Sequence, residues 1–172
     1  MRKLTTNVLL LSLSLTAGTV DASAKRWRSL TPARSTKLDA AALVKECDTP
    51  KMGCHFEDDN SEVQLIFSGG NLDDGKCPNM PAGTLLGVFV RFKTPQPLKN
   101  FRLKNQREIF FDPAIPPNHG YKGYYYPKEG FIISSFEGRV VEIAYIAEQK
   151  DLHRCPEYYE DPMGFVQVGI YP

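Results

Sequence analysis

Between Tyr121 and Ile146 three apolar runs follow one another with almost nothing between them. Tyr121 to Tyr126, Phe131 to Phe136 and Arg139 to Ile146 each have strand length. The joins at Glu129-Gly130 and Glu137-Gly138 place glycine where a tight hairpin requires positive φ. Strands joined by turns this short have to be antiparallel neighbours, so the stretch predicts a meander and a fold built on a sheet.

Upstream, Gly53 to Glu57 is a short β run that Asp58-Asp59-Asn60 turns into Glu62 to Ser68. There Val63, Leu65 and Phe67 alternate with Glu62, Gln64 and Ser68, as in a half-buried strand, and only Ile66 breaks the polar face. Gly69 to Gly83 reads as a long loop containing Cys77, Pro78 and Pro81. Thr84 to Lys93 is apolar at nearly every position except Arg91, which predicts a central strand, and Thr94-Pro95-Gln96-Pro97 is expected to end it. Leu98 to Pro117 mixes Lys and Arg with Phe101, Phe110 and Phe111 in no steady period, and reads as a crossover or loop pinned to the core by its aromatics. Phe165 to Tyr171 offers a further edge strand, weakened by Gly169.

One helix is signalled. Thr36 to Asp39 forms an S/T-x-x-D cap ahead of Leu38 through Cys47, and Ala40, Leu43, Val44 and Cys47 follow i, i+3, i+4, i+7 spacing. Asp48-Thr49-Pro50 stops it. The expected class is α+β: one N-terminal helix packed on an antiparallel sheet of about six strands.

Residues 1–24 follow the pattern of a cleavable export signal. Arg2 and Lys3 supply positive charge, Val8 to Leu15 a short apolar run, and Ala22-Ser23-Ala24 the small residues for cleavage ahead of Lys25. The apolar run, broken by Ser12 and Ser14, falls well short of the roughly 20 residues of a membrane span. No cysteine near the cleavage site suits a lipid anchor. The expected organisation is a signal at 1–24, a flexible N-terminal segment at 25–34 that includes the basic cluster Lys25-Arg26-Trp27-Arg28, and a single α+β domain at 35–172. The chain has 21 basic and 20 acidic residues, and cleavage takes Arg2, Lys3 and Asp21, leaving equal numbers. A neutral domain of interspersed charge has no basic face for nucleic acid.

A domain of this size folds without staples, yet Cys47, Cys54, Cys77 and Cys155 are an even number in a chain addressed to an oxidising compartment. Two disulfides are expected, with their connectivity open. The spacings contain no C-x-x-C pair of the kind that zinc sites favour, so no metal or other cofactor is expected.

Motifs that carry chemistry are sparse. P-loop, dinucleotide, zincin, nucleophile-elbow and calcium-loop patterns are missing from the sequence. Asn71-Leu72-Asp73-Asp74-Gly75 lacks the distal glutamate of a calcium loop and reads as a solvated turn. His55, His119 and His153 fall on different expected elements. His153 stands two residues from Cys155 and would matter to a thiol nucleophile if that cysteine were free. Ser134 and Ser135 read as ordinary strand serines. Tyr124-Tyr125-Tyr126 and Tyr158-Tyr159 are the candidate recognition surface, since tyrosine gives large contact area with a polar tip; in a strand, Tyr124 and Tyr126 share one face and Tyr125 takes the other, so at least one is expected in the core and cross-strand packing is the favoured alternative to a partner-binding role. No catalytic residue is assigned.

Three passages together resemble a group of exported bacterial proteins of unknown function: Phe67-Ser68-Gly69-Gly70 leading to Cys77, Asn79 to Leu86 running into Lys93-Thr94, and Glu129-Gly130-Phe131 through Gly138-Arg139-Val140-Val141 to Lys150-Asp151-Leu152-His153-Arg154-Cys155. Members usually carry Trp where this chain has Pro78, and one more residue between the His and the Arg. The resemblance implies no known activity. It implies that Cys77 and Cys155 belong together, because that pair recurs in relatives without counterparts of Cys47 and Cys54. Cys47–Cys54 would then tie the helix end to the first strand, and the long bridge would stabilise the fold by about 4 kcal/mol in the chain-entropy model. A fainter likeness, carried by Arg34-Ser35-Thr36 with Leu38 and Leu43, is to the small helix-plus-sheet modules of outer-membrane assembly lipoproteins and β-lactamase-inhibitor proteins.

The expected function is a non-enzymatic binding or structural module of the cell envelope, periplasmic or secreted, meeting a protein or envelope partner, with no nucleic acid and no membrane span after cleavage. The alternative is a small envelope hydrolase or thiol enzyme using His153 or His119.

Overall fold

The computed structural model describes residues 26–47, 53–69, 77, 79–101, 107–109 and 120–159 of the 172-residue chain. Among these, α1 (Lys37–Ala41) precedes strands β1 (Gly53–Glu57), β2 (Ser61–Phe67), β3 (Leu85–Pro97), β4 (Arg107–Ile109), β5 (Tyr121–Tyr126), β6 (Phe131–Phe136) and β7 (Arg139–Tyr145), and α2 (Pro156–Tyr159) follows. The strands make one sheet in the order β1-β2-β3-β7-β6-β5-β4, with every neighbouring pair antiparallel. Six are the strands expected from the sequence. The seventh, β4, is a three-residue edge strand on β5 within the segment read as a crossover.

The two glycine turns have different geometry. Between β6 and β7, Glu137 and Gly138 both take positive φ, 50° and 74°, the signature of a two-residue type I′ hairpin. Between β5 and β6 a four-residue turn closes on Gly130 at φ 70°. A side chain there would also meet the Ile146 carbonyl at 2.7 Å, because Ile146 N–H donates to the Gly130 carbonyl. Gly138 has open space around it.

Both faces of the sheet are covered. On one face a row of paired residues, Cys54, Leu65, Val88, Tyr145, Phe131 and Tyr126, packs with Trp27, Leu30, Ala40, Val44, Cys47 and Phe101. On the opposite face Phe89, Ala144 and Ile132 pack with Ala33, Cys77, Met80, Cys155 and Tyr159. This second cover accounts for Ile66, whose apolar side chain in the expected polar face packs against it.

Several expectations change. The helix is shorter than Leu38 to Cys47: the capping box forms, with Asp39 N–H donating to Thr36 Oγ1 at 3.3 Å and Thr36 N–H to Asp39 Oδ2 at 2.7 Å, but the α-helix ends at Ala41, the last helical carbonyls of Leu38 and Ala40 accept from Ala42 and Val44 N–H, and the chain goes on as a 3-10 turn at Lys45–Cys47. Cys47 is anchored to β1 by its disulfide, and the chain tightens to reach it. That turns Leu43 outward to 42 % exposure, while Ala40, Val44 and Cys47 stay buried as expected. Residues 26–34, expected within a flexible N-terminal segment, pack on the fold. Trp27 and Leu30 bridge each other and lie in the core, Ala33 N–H donates to the Leu85 carbonyl, and Arg28 lies over the Trp27 ring at 4.5 Å. Burial of three apolar side chains outweighs the basic character of the stretch. β3 also runs past its expected end, through an irregularity between Arg91 and Gln96 that accommodates Pro95 and Pro97. The export signal and the Phe165–Tyr171 strand lie outside the described residues.

Gly130→Ala is expected to destabilise the protein by at least about 2 kcal/mol in urea unfolding, through left-handed strain plus a backbone collision. Gly138→Ala, with the strain alone, should cost about 1 kcal/mol. Equal losses would contradict the close approach of Gly130 and Ile146.

Candidate functional site

Paired residues of an antiparallel sheet share a face, and one row on the face opposite α1 is polar beside a row whose centre is Phe89, Ala144 and Ile132. From β1 to β5 it reads Glu57, Glu62, Arg91, Glu142, Ser134, Gly123. Its outer end is solvated, and Lys93 Nζ holds Glu57 at 2.8 Å. Its inner end is not: the Glu142 side chain is 4 % exposed and Ser134 is buried.

Local backbone geometry marks the same place. Glu142 pairs with Arg91 on β3 and Ser134 on β6, but the next partners of Gln96 and Ser135 are both Val140. Val141 is therefore skipped by both registers, a bulge on β7 beside the buried acid. Bulges of this kind re-aim side chains and gather near functional positions.

Arg91 stands between two carboxylates. Its Nη1 is 3.9 Å from Glu62 Oε2 and its Nε is 3.7 Å from Glu142 Oε2, both beyond hydrogen-bonding length. Burial pushes the Glu142 carboxyl up to about 7, with Arg91 pulling the other way. Among the described residues, Glu142 Oε1 and Ser134 Oγ meet no hydrogen-bond partner. The row can thus hold or release a proton near neutrality. Among the described residues no base bonds the Ser134 hydroxyl.

The residues singled out from the sequence are placed as follows. Cys47 bonds Cys54, and Cys77 bonds Cys155 across 78 residues, the pairing that the resemblance implies. The first bridge ties the covering 3-10 turn to β1 on the helix side. The second joins two covering segments on the other face. Tyr124 and Tyr126 are buried in the core on the helix side, where Tyr126 stacks on Phe131 at 4.5 Å. Tyr159 is buried on the opposite face and donates its hydroxyl to the Leu86 carbonyl at 3.0 Å. The recognition surface expected from these three tyrosines is corrected accordingly: cross-strand packing takes their rings. The Tyr158 side chain lies outside the described residues. Tyr125 takes the other face, half-buried. His55 and His153 are exposed on β1 and on the 3-10 segment Gln149–Arg154, while His119 and Asn71 to Gly75 lie outside the described residues. Among the described residues, no three His, Cys, Asp or Glu side chains come together as metal ligands, and no helix is long and apolar enough to cross a membrane. An open surface cleft of about 360 Å³ lies at Lys128, Glu148, Gln149 and Lys150, where Lys150 pairs with Glu148 at 2.7 Å.

Glu142 was legible in outline. It is a lone acid in an apolar strand, as Arg91 is a lone base in another, and two such charges in central strands suit each other as cross-strand neighbours. No protein-family model, curated protein or solved structure matches this chain.

Removing an orphaned buried hydroxyl relieves its desolvation, so Ser134→Ala is expected to leave stability unchanged or raise it by about 1 kcal/mol in chemical unfolding. A loss of that size would show that the hydroxyl has a bonded partner.

Proposed function

We propose that the protein is exported and works as a non-enzymatic binding or structural module of the cell envelope, held in shape by two disulfides in a periplasmic or extracellular setting. The observation that carries this is the complete pairing of its cysteines, each bridge fastening one of the layers that cover the sheet. Such bridges persist in oxidising compartments and are rare in reducing ones. The leader-like residues 1–24 point the same way.

The same pairing weighs against the thiol-enzyme alternative. With Cys155 bonded to Cys77, the sulfur beside His153 is no nucleophile. The reading therefore favours a surface that meets a protein or envelope partner over a catalytic centre.

The test is to express the full chain with its leader in a bacterium and analyse the product by mass spectrometry, with alkylation before and after reduction. The expected product is found in the envelope or medium, starts at Lys25, and takes up alkylating reagent only after reduction. An intact Met1 terminus in the cytoplasm, or alkylation of Cys155 in the native protein, would overturn the proposal.

A further inference from the structure

β1 is an outer strand of the sheet, and among the described residues no strand pairs on its far side. Backbone parity fixes what that side presents. Asp58 N–H donates to the Ser61 carbonyl at 2.9 Å, so the β1–β2 hairpin starts on a hydrogen-bonded pair. Bonded and non-bonded pairs alternate along an antiparallel ladder. Phe56 with Val63 and Cys54 with Leu65 are therefore the bonded pairs, and the N–H and C=O groups of Gly53, His55 and Glu57 point away from the sheet. Among the described residues, no backbone group of another segment bonds them.

Native sheets defend such an edge with proline, lysine, a bulge or a covering segment. β1 contains no proline, lysine or arginine, and its register on β2 is unbroken. Its one acid, Glu57, is held by Lys93 at 2.8 Å. His55 and Glu57 are exposed and Gly53 is half-buried. The other edge strand, β4, has only three residues.

We propose that β1 is a self-association edge, on which a second copy of this chain pairs antiparallel about a two-fold axis through His55.

The strand is its own complement. With His55 opposite the partner's His55, Gly53 meets the partner's Glu57, and every outward N–H and C=O of both strands enters the ladder. A shift by two residues leaves one end of each strand outside it. The charges agree with this register. Glu57 stands opposite the partner's Gly53, which has no side chain, and diagonal to the partner's His55, so an acid neighbours an imidazole and no two acids oppose each other. On the helix-side face Phe56, which meets Trp27 at 5.9 Å, lies opposite the partner's Cys54, and the apolar row continues across the junction. An unrelated peptide would have to supply all of these matches from its own sequence. The contact is isologous and closes on itself, so it makes a dimer and no fibre. Two five-residue strands place it at the small, weak end of protein interfaces. The inference goes beyond the envelope-module reading and does not depend on where the chain resides.

Sedimentation equilibrium and amide hydrogen exchange by NMR on the purified, oxidised protein test it. The mass is expected to rise from one chain toward two as concentration increases. The amides of Gly53, His55 and Glu57 should gain protection with it, while those of Cys54 and Phe56, already bonded to β2, stay unchanged. His55→Pro removes one outward N–H from each copy and leaves the β2 ladder whole. It should keep the circular dichroism of the fold and dimerise at least about tenfold more weakly. A single-chain mass up to millimolar concentration, or undiminished dimerisation of folded His55→Pro, would overturn the proposal. So would equal protection of the three amides at every concentration, which would put other residues of this same chain on the edge. Should His55→Pro fail to fold, the alternation of protection in the unmodified protein decides.

Discussion

The pairing of β3 with β7 is the contact on which the other parts depend. Within each half of the sheet some strands are joined locally, β1 to β2, β5 to β6 and β6 to β7 by short turns, whereas β2 reaches β3 through residues 68–84 and β3 meets β7 only across the length of the chain between them. Contacts between distant segments carry the cost of closing the intervening chain before they return anything. The Cys77–Cys155 bridge lowers that cost at the relevant place. Cys77 stands before β3 and Cys155 after β7, so the disulfide staples the flanks of the two strands that must meet. Arg34 reaching Asp151 and Ala33 reaching Leu85 draw the N-terminal segment over the same region.

Against that background the Glu142 position is a local conflict. The surrounding positions of β6 and β7 are filled with Ile132, Ile133, Ile143 and Ala144, all buried, and an apolar residue in place of the acid would agree with them. Among the described residues the chain instead has a carboxyl with one oxygen and a serine hydroxyl that meet no hydrogen-bond partner, and a bulge beside them. Proteins that are consistent at most levels concentrate such exceptions where something other than stability is at stake. Two disulfides and a doubly covered sheet leave stability to spare for one.

The sheet was legible because its signals are local. Period-2 alternation from Val63 to Phe67 and the two Glu-Gly turns hold whatever surrounds them. The misread parts depend on partners distant in the chain. Nothing within Trp27 to Ala33 announces that Leu85 and the sheet wait to receive it. The helix expected to reach Cys47 is shortened by a bond to Cys54, and β4 exists only because β5 offers an edge. The tyrosines show the same limit: strand alternation already put at least one of Tyr124, Tyr125 and Tyr126 in the core, and the register of β5 on β6 shows that Tyr124 and Tyr126 are the buried ones. The polar row could not be read along the chain, since its members come from six strands.

The central claim is that the β3–β7 seam holds the two halves of the sheet together. Native-state hydrogen exchange at pH 5, where Glu142 is protonated, tests it most directly. The amides of Val88 to Val90 and Ile143 to Tyr145 should exchange only through global unfolding, with the highest opening free energies in the protein. Exchange of those amides through a smaller opening, while the amides of β2 and β6 stay protected, would contradict the account.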